Sequence, residues 1–172
     1  PRERTALNAK IKTAIQARQY HAIFVTYMKA ADLEVVPVNF ILADEAGQAT
    51  EPDASVLLAS AVYGGHVLLV GDELQLPPTV KDKGAEWEGL GTPLLGRLRR
   101  AHHGLPHLVT LNVQYRMHPC LSEFPSNMFY EGTLQNGVTA AERSGASFDF
   151  PWPHHNRPMF FYTSAGQGAV SA

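Results

Sequence analysis

Phe40-Ile41-Leu42-Ala43-Asp44-Glu45-Ala46-Gly47-Gln48-Ala49-Thr50-Glu51-Pro52 runs an apolar segment straight into two adjacent acids and then into a helix-start signal. An apolar run without alternation, here Phe40 to Ala43, fits a strand buried on both faces of a parallel sheet, since helices cover both sides of such a sheet. Strands of that kind present ligand-binding residues at their carboxyl ends, and Asp44 and Glu45 stand at that end. Thr50 or Glu51 near the cap and Pro52 in the first turn open a helix carried forward by Ala54, Val56, Leu57, Leu58 and Ala61. Gly64-Gly65 supplies the stop.

The same grammar returns downstream. His66-Val67-Leu68-Leu69-Val70 reads as a buried strand and runs into Gly71-Asp72-Glu73-Leu74-Gln75-Leu76-Pro77-Pro78. Two strand–helix units so close together predict an α/β fold with a parallel sheet and right-handed crossovers. Upstream, Arg2 to Gln19 reads as a helix with Leu7, Ile11, Ala14 and Ile15 on one face. Tyr20 to Thr26, built on Ile23-Phe24-Val25, reads as a second buried strand ending at Thr26 and Tyr27. Downstream, Lys81 to Gly91 reads as a glycine-bearing loop around Trp87. Thr92-Pro93 then starts a helix that runs through Leu98 to Ala101 and stops at Gly104. Leu108 to Leu111 reads as a strand, Pro119 to Phe129 as a helix, and Met159 to Tyr162 as a last strand.

With 172 residues, 45% hydrophobic and 17% charged, the chain can bury one good core or two partial ones. A formal net charge of -2 gives no bulk basic signature, so any contact with nucleic acid must come from a local groove. The single cysteine, Cys120, cannot form an internal disulfide, and neither a signal-peptide pattern nor a bilayer-length apolar run occurs. The expectation is a reducing, cytoplasmic protein without a membrane partner. Eight histidines meet no paired ligand spacing: His102-His103 and His154-His155 fit exposed loops better than a zinc site.

Two neighbouring carboxylates at a strand end have a use in nucleoside-triphosphate chemistry. The first can hold a magnesium ion (Mg2+) through its water shell, while the second orients or deprotonates the attacking water. The plainer alternative is a strand that ends in two acids and enters solvent.

Three blocks in this order resemble the superfamily one helicases of the up-frameshift type, the regulators of nonsense transcripts. Asp44 to Pro52 is similar to helicase motif II, Gly71 to Pro78 to motif III, and Gln114-Tyr115-Arg116-Met117-His118-Pro119 to motif IV. Phe124 to Gly132 and Leu134 to Ala141 resemble the nonsense-decay branch in particular. The likeness covers roughly Tyr20 to Tyr162; residues 1–19 resemble the end of a helical insertion, and residues 163–172 match nothing clear.

The resemblance implies a RecA-like parallel sheet with flanking helices, the P-loop NTPase fold. Residues 1–113 would be the carboxyl-terminal part of a first RecA-like domain, and residues 114–172 the start of a second. In that family two such domains clamp ATP, and hydrolysis drives movement along single-stranded RNA or DNA, in company with other mRNA-decay factors. Carried over by position, Asp44 would serve Mg2+ and Glu45 the attacking water. Gln75 would sense the γ-phosphate, Tyr115 would stack on the adenine, and Arg116 would reach the γ-phosphate. Thr26 resembles the family's nucleic-acid-contacting threonine. Each has a structural alternative: Gln75 satisfying loop backbone, Tyr115 half-buried in a core, Arg116 paired with Glu123, Thr26 capping a strand end.

No G-x-x-x-x-G-K-S/T occurs, since none of Lys10, Lys12, Lys29, Lys81 or Lys83 follows a glycine. The phosphate cradle and the later family motifs are missing, so the chain reads as an internal fragment that is inactive alone. Two rival functions stand beside the helicase of nonsense-mediated mRNA decay. One is a non-catalytic binding or regulatory module with a degenerate ATP site; the other is a senataxin-like helicase acting on RNA–DNA hybrids.

Overall fold

The computed structural model describes residues 9–15, 17, 19–31, 37–101, 107–143, 152–154 and 157–162. The chain divides into two units, Pro1–Leu108 and Val109–Ala172. In the first unit the described elements are, in order, helix α1 (residues 9–15), α2 (Tyr27–Ala30), strand β1 (Val38–Ala43), α3 (Glu51–Leu58), β2 (Ala61–Leu69), α4 (Lys83–Ala85) and α5 (Leu94–Ala101). The rest of the helix expected over Arg2 to Gln19, the stop at Gly104 and the His102-His103 pair lie outside the described residues.

Strands β1 and β2 pair in parallel, with Phe40 opposite His66, Ile41 opposite Val67, Leu42 opposite Leu68 and Ala43 opposite Leu69. The parallel strand–helix–strand arrangement read from the sequence therefore holds for this pair. Helix α3 stops at Leu58, earlier than expected, and Ala61 begins the strand. The register shifts between Val38 and Phe40, and Gly64 lies in this stretch at φ 77°. A Cβ on Gly65 would come within 2.9 Å of the Val62 carbonyl oxygen. Gly64-Gly65 thus makes a strand irregularity, not a helix stop, because glycine tolerates both the positive φ and the close backbone.

Burial on β1 also departs from expectation. Ile41 and Ala43 are buried, whereas Phe40 and Leu42 are each 57% exposed. Successive side chains on a strand point to opposite faces, and among the described residues only one face is covered. The apolar run is suited to two-sided burial; half of that burial is supplied here.

Thr50 caps α3, its hydroxyl accepting from the Asp53 amide at 3.3 Å and donating to the Asp53 carboxylate at 2.6 Å. Such a cap is worth about 1 kcal/mol. Pro52 sits in the first turn, where its missing N–H costs nothing. In the next turn down the chain Asp82 accepts from the Ala85 amide at 2.8 Å and nucleates α4. A π-type turn, Glu86–Leu90, follows. The segment expected as loop is therefore short helical turns, set by a local aspartate cap.

The expected strand from Tyr20 to Thr26 is not formed. Phe24 is 95% exposed, and Thr26 instead caps α2, accepting from the Lys29 amide at 3.4 Å. An extended segment becomes a strand only when a neighbour takes up its N–H and C=O groups, and among the described residues none does.

In the second unit β3 (Val113–Gln114) pairs in parallel with β4 (Gln135–Asn136), and α6 (Pro119–Phe129) lies between them in sequence. Helix α6 has the bounds expected from its sequence. His118 is buried and caps it, Nδ1 accepting from the Cys120 amide at 3.1 Å, with Pro119 at the first helical position. Leu108 to Leu111 and Met159 to Tyr162, both expected as strands, pair with no strand. Val109, Leu111 and Phe161 are largely exposed. The last segment is anchored by Phe160, which meets Trp152 edge to face at 6.0 Å. Among the described residues no helix is long and apolar enough to cross a membrane.

An ion pair joins α3 and α5. Arg97 on α5 donates from Nε and Nη2 to the two carboxylate oxygens of Glu51, at 2.8 and 2.5 Å. The hydrogen bonds from Arg97 hold the Glu51 carboxyl below its ordinary range; slight desolvation opposes this, and the guanidinium charge reinforces it. A carboxyl depressed in the folded state adds stability that is fully present above its unfolded pKa and is lost as pH falls through the folded one. The gap in melting temperature between the parent chain and Glu51→Gln should therefore narrow from about pH 6 to about pH 3. Thermal melts at several pH values check this, and a gap independent of pH would remove the bridge from the account.

Candidate functional site

Strand β1 delivers Asp44 and Glu45 into a turn that folds back on β2. Val70 donates to the Ala43 carbonyl at 2.9 Å and Ala46 donates to the Val70 carbonyl at 2.8 Å. Glu45 takes the left-handed conformation, φ 52°, which costs a non-glycine residue on the order of 1 kcal/mol or more. Local hydrogen bonds offset that cost. Asp44 Oδ1 accepts from the Glu45 amide at 3.0 Å, Gln48 Nε2 donates to Glu45 Oε2 at 3.1 Å, and the Gln48 amide donates to the Glu45 carbonyl at 2.9 Å. Both acids remain exposed.

Tyr27, at the start of α2, donates its hydroxyl to the Asp44 carbonyl at 3.1 Å. Burial raises the phenol pKa, and the negative charges of Asp44 and Glu45 raise it further, so the group stays a donor. The sequence names Tyr27 only as the end of an expected strand and gives it no role of its own. Its neighbour Thr26, a candidate nucleic-acid contact, sits exposed at the cap of α2 and not at a strand end.

The loop after β2 lies directly on the turn after β1. A Cβ on Gly47 would fall 2.6 Å from the Asp72 carbonyl oxygen, and one on Gly71 would fall 2.7 Å from the Gly47 nitrogen. Only two glycines let these backbones approach so closely. Within the second loop Asp72 accepts from the Leu74 amide through Oδ1 and from Gln75 Nε2 through Oδ2, each at 3.0 Å. Glu73 turns inward, where Arg99 Nη1 on α5 donates to Oε1 at 2.7 Å. Glu73 Oε2 is buried without a hydrogen-bond partner among the described residues. The structure thus brings the Asp44-Glu45 turn and the Gln75 loop together as one backbone-packed edge.

The donor set can be tested against Mg2+ on its own chemistry. Among the described residues no three or more His, Cys, Asp or Glu gather as a metal cage. Mg2+ keeps several waters and takes one or two carboxylates together with substrate phosphates. An exposed Asp44, with one oxygen engaged by a single amide, fits that mode.

In the second unit Gln114 organises the turn after β3. Its Oε1 accepts from the amides of Arg116 and Met117 at 2.9 and 2.7 Å. Its Nε2 donates to the Met117 carbonyl at 2.9 Å and to Asn136 Oδ1 at 2.6 Å. Asn136 Oδ1 also accepts from the buried Ser122 hydroxyl at 2.6 Å. Tyr115 is 62% exposed, not half-buried core. Arg116 is exposed and makes no ion pair with Glu123 or any other described residue. Gln114, Asn136 and Arg143 support this turn, and sequence reasoning assigned them no part in it. A readable signal did exist in Thr139-Ala140-Ala141-Glu142, the spacing of a capping box.

Residues 4–83 match the family model of an AAA domain, and residues 90–171 match a second AAA domain model. The chain is 51% identical to a regulator of nonsense transcripts 1 homolog of Arabidopsis thaliana over 149 residues, 86% of this chain and 12% of that relative. It is 45% identical to the ATP-dependent helicase upf1 of Schizosaccharomyces pombe over 157 residues, 90% of this chain and 16% of the relative. The chain belongs to the regulator of nonsense transcripts family. Another relative, the ATP-dependent helicase NAM7 of Saccharomyces cerevisiae, is 45% identical over 77% of this chain and 13% of its own length. Membership in the regulator of nonsense transcripts family brings the P-loop NTPase fold, and the parallel pairs β1–β2 and β3–β4 are α/β pieces of that kind. The chain spans only 12 to 16% of the length of these three relatives.

Proposed function

We propose that this chain is an internal part of an ATP-dependent helicase that moves on single-stranded RNA or DNA in the cytoplasm and serves nonsense-mediated mRNA decay with other decay factors. The observation that carries the reading is the backbone contact of Gly47 with Asp72 and Gly71 with Gly47. It sets exposed Asp44, Glu45 and Gln75 on one edge. Residues 1–113 are assigned to a first RecA-like domain and 114–172 to a second.

Each side chain has a stated task. Asp44, one oxygen of which accepts from the Glu45 amide, would hold Mg2+ through its water shell. Glu45 accepts a proton from, or orients, the attacking water. Gln75, tethered to Asp72 by one hydrogen bond, can exchange that bond for one to the γ-phosphate and so report its presence. Tyr115 offers its ring to the adenine, and Arg116, which forms no ion pair among the described residues, offers its guanidinium to the γ-phosphate. The Thr26 oxygen accepts from the Lys29 amide, and its hydroxyl proton can be turned toward a nucleic-acid phosphate. ATP, when bound, supplies the phosphoanhydride bond whose cleavage drives movement.

The test is phosphate release by the complete polypeptide that carries this chain, with and without single-stranded RNA. Stimulated turnover is expected there, and none from the 172-residue chain alone, which has no phosphate-cradling loop. A complete protein without turnover would overturn the reading in favour of a binding module, and turnover by the chain alone would overturn its fragment status.

A further inference from the structure

We propose that Gly137 is a positioning residue that fixes how the Tyr115 ring is presented to a nucleobase, an inference that rests on the adenine-stacking role given to Tyr115 above. The parallel pair places them together. Gln114 is in register with Asn136, and the Gly137 amide continues the ladder by donating to the Gln114 carbonyl at 2.9 Å. Tyr115 and Gly137 are the next residues along their two chains, so the ring lies against the glycine.

The space there admits no side chain. A Cβ on Gly137 would come 2.2 Å from Tyr115 Cε1, 2.6 Å from Cζ and 2.7 Å from Cδ1. Gly137 is not among the positive-φ glycines, so room, not backbone freedom, demands glycine. One side of the phenol is therefore backed by main chain, while the side chain remains 62% exposed. A rigid aromatic that is backed on one side and open elsewhere suits stacking by a flat base.

The backbone under the ring is fixed as well. Arg143 donates from Nε at 3.2 Å and from Nη2 at 2.5 Å to the Tyr115 carbonyl. Arg143 itself is placed by a capping box: Glu142 Oε2 accepts from the Thr139 amide at 2.7 Å, and Thr139 Oγ1 accepts from the Glu142 amide at 3.3 Å. Gly137 and Arg143 thus hold the residue from the ring side and from the main-chain side. In the Gly137→Ala variant the ring must swing away from its seat.

The experiment is steady-state kinetics on the complete protein with two substrates, ATP and the base-free ribose 5-triphosphate. Gly137→Ala should raise KM for ATP about fivefold or more, the lower end of what base–aromatic stacking supplies. Its kcat, and its KM for ribose 5-triphosphate, should stay within about twofold of the parent. Tyr115→Ala combined with Gly137→Ala should show no larger KM for ATP than Tyr115→Ala alone, the signature of two residues acting as one. Arg143→Met, which leaves Gly137 in place, should give a smaller rise in KM that is also confined to ATP. Equal changes toward both substrates, or no change toward ATP, overturn the inference while the helicase reading stands. A parent protein that turns over neither triphosphate overturns both.

Discussion

Glu45→Gln in the complete protein is expected to leave ATP and single-stranded nucleic acid bound while ATP turnover falls by about 10²- to 10⁴-fold, the usual contribution of a positioned general base. The substitution keeps the shape and the hydrogen bond that matter for the turn. Gln48 donates to Glu45 Oε2 at 3.1 Å, and an amide oxygen can still accept that bond, though more weakly than a carboxylate. The left-handed φ of 52° belongs to the backbone and passes unchanged to glutamine. What is lost is the capacity to accept a proton. Binding assays beside single-turnover phosphate release separate the two effects, and turnover near the parent level would shift water activation to another residue.

Arg116→Lys and Arg116→Ala should each lower ATP turnover by about two orders of magnitude or more, since an arginine acting on a transferring phosphoryl group is worth roughly 10³ to 10⁵ in rate. Affinity for ATP should change less, because the adenine stacking proposed for Tyr115 does not use the guanidinium. Lysine is a poor substitute: the guanidinium directs a planar fork of donors at two phosphate oxygens, whereas an ammonium is a compact point charge. The structural alternative for Arg116 was a helix-surface pair with Glu123, worth only about 0.2 to 0.5 kcal/mol, and that pair is not formed. Gln114 fixes the Arg116 amide at 2.9 Å, so the turn is shaped before the guanidinium has any partner. Near-normal turnover of the lysine variant in steady-state assays would leave Arg116 without a catalytic part.

The elements legible in the sequence are those whose signals are local. Helix α6 begins at Pro119 because His118 and proline define a start within three residues, and α3 begins at Glu51 because Thr50 reaches Asp53. The misread strands share one cause: Tyr20 to Thr26, Leu108 to Leu111 and Met159 to Tyr162 have strand-like composition, but a strand is completed by a remote neighbour that composition does not name. The same limit applies to Phe40 and Leu42, whose exposure depends on what covers a face and not on their own chemistry. In the candidate site, acids and glycines were visible as motif letters, yet the reason for Gly47 and Gly71 is steric and appears only when two loops meet. Tyr27 and Arg143 act through main-chain carbonyls 17 and 28 residues away. Nothing in the surrounding residue types announces such bonds.

The Tyr27 hydroxyl on the Asp44 carbonyl has a mechanical consequence. Helix α2 is only four residues long, and two residues of interest are neighbours at its start: Thr26, proposed to meet the nucleic-acid backbone, and Tyr27, whose hydroxyl holds the acidic turn. A pull on a strand held at Thr26 would reach Asp44 through one peptide unit and one phenol. The linkage is a single hydrogen bond, worth on the order of 1 kcal/mol, strong enough to bias the turn and weak enough to break and re-form thermally. Such a joint behaves as a clutch: it can engage and release thermally, and it lets the two ends feel each other without welding them together.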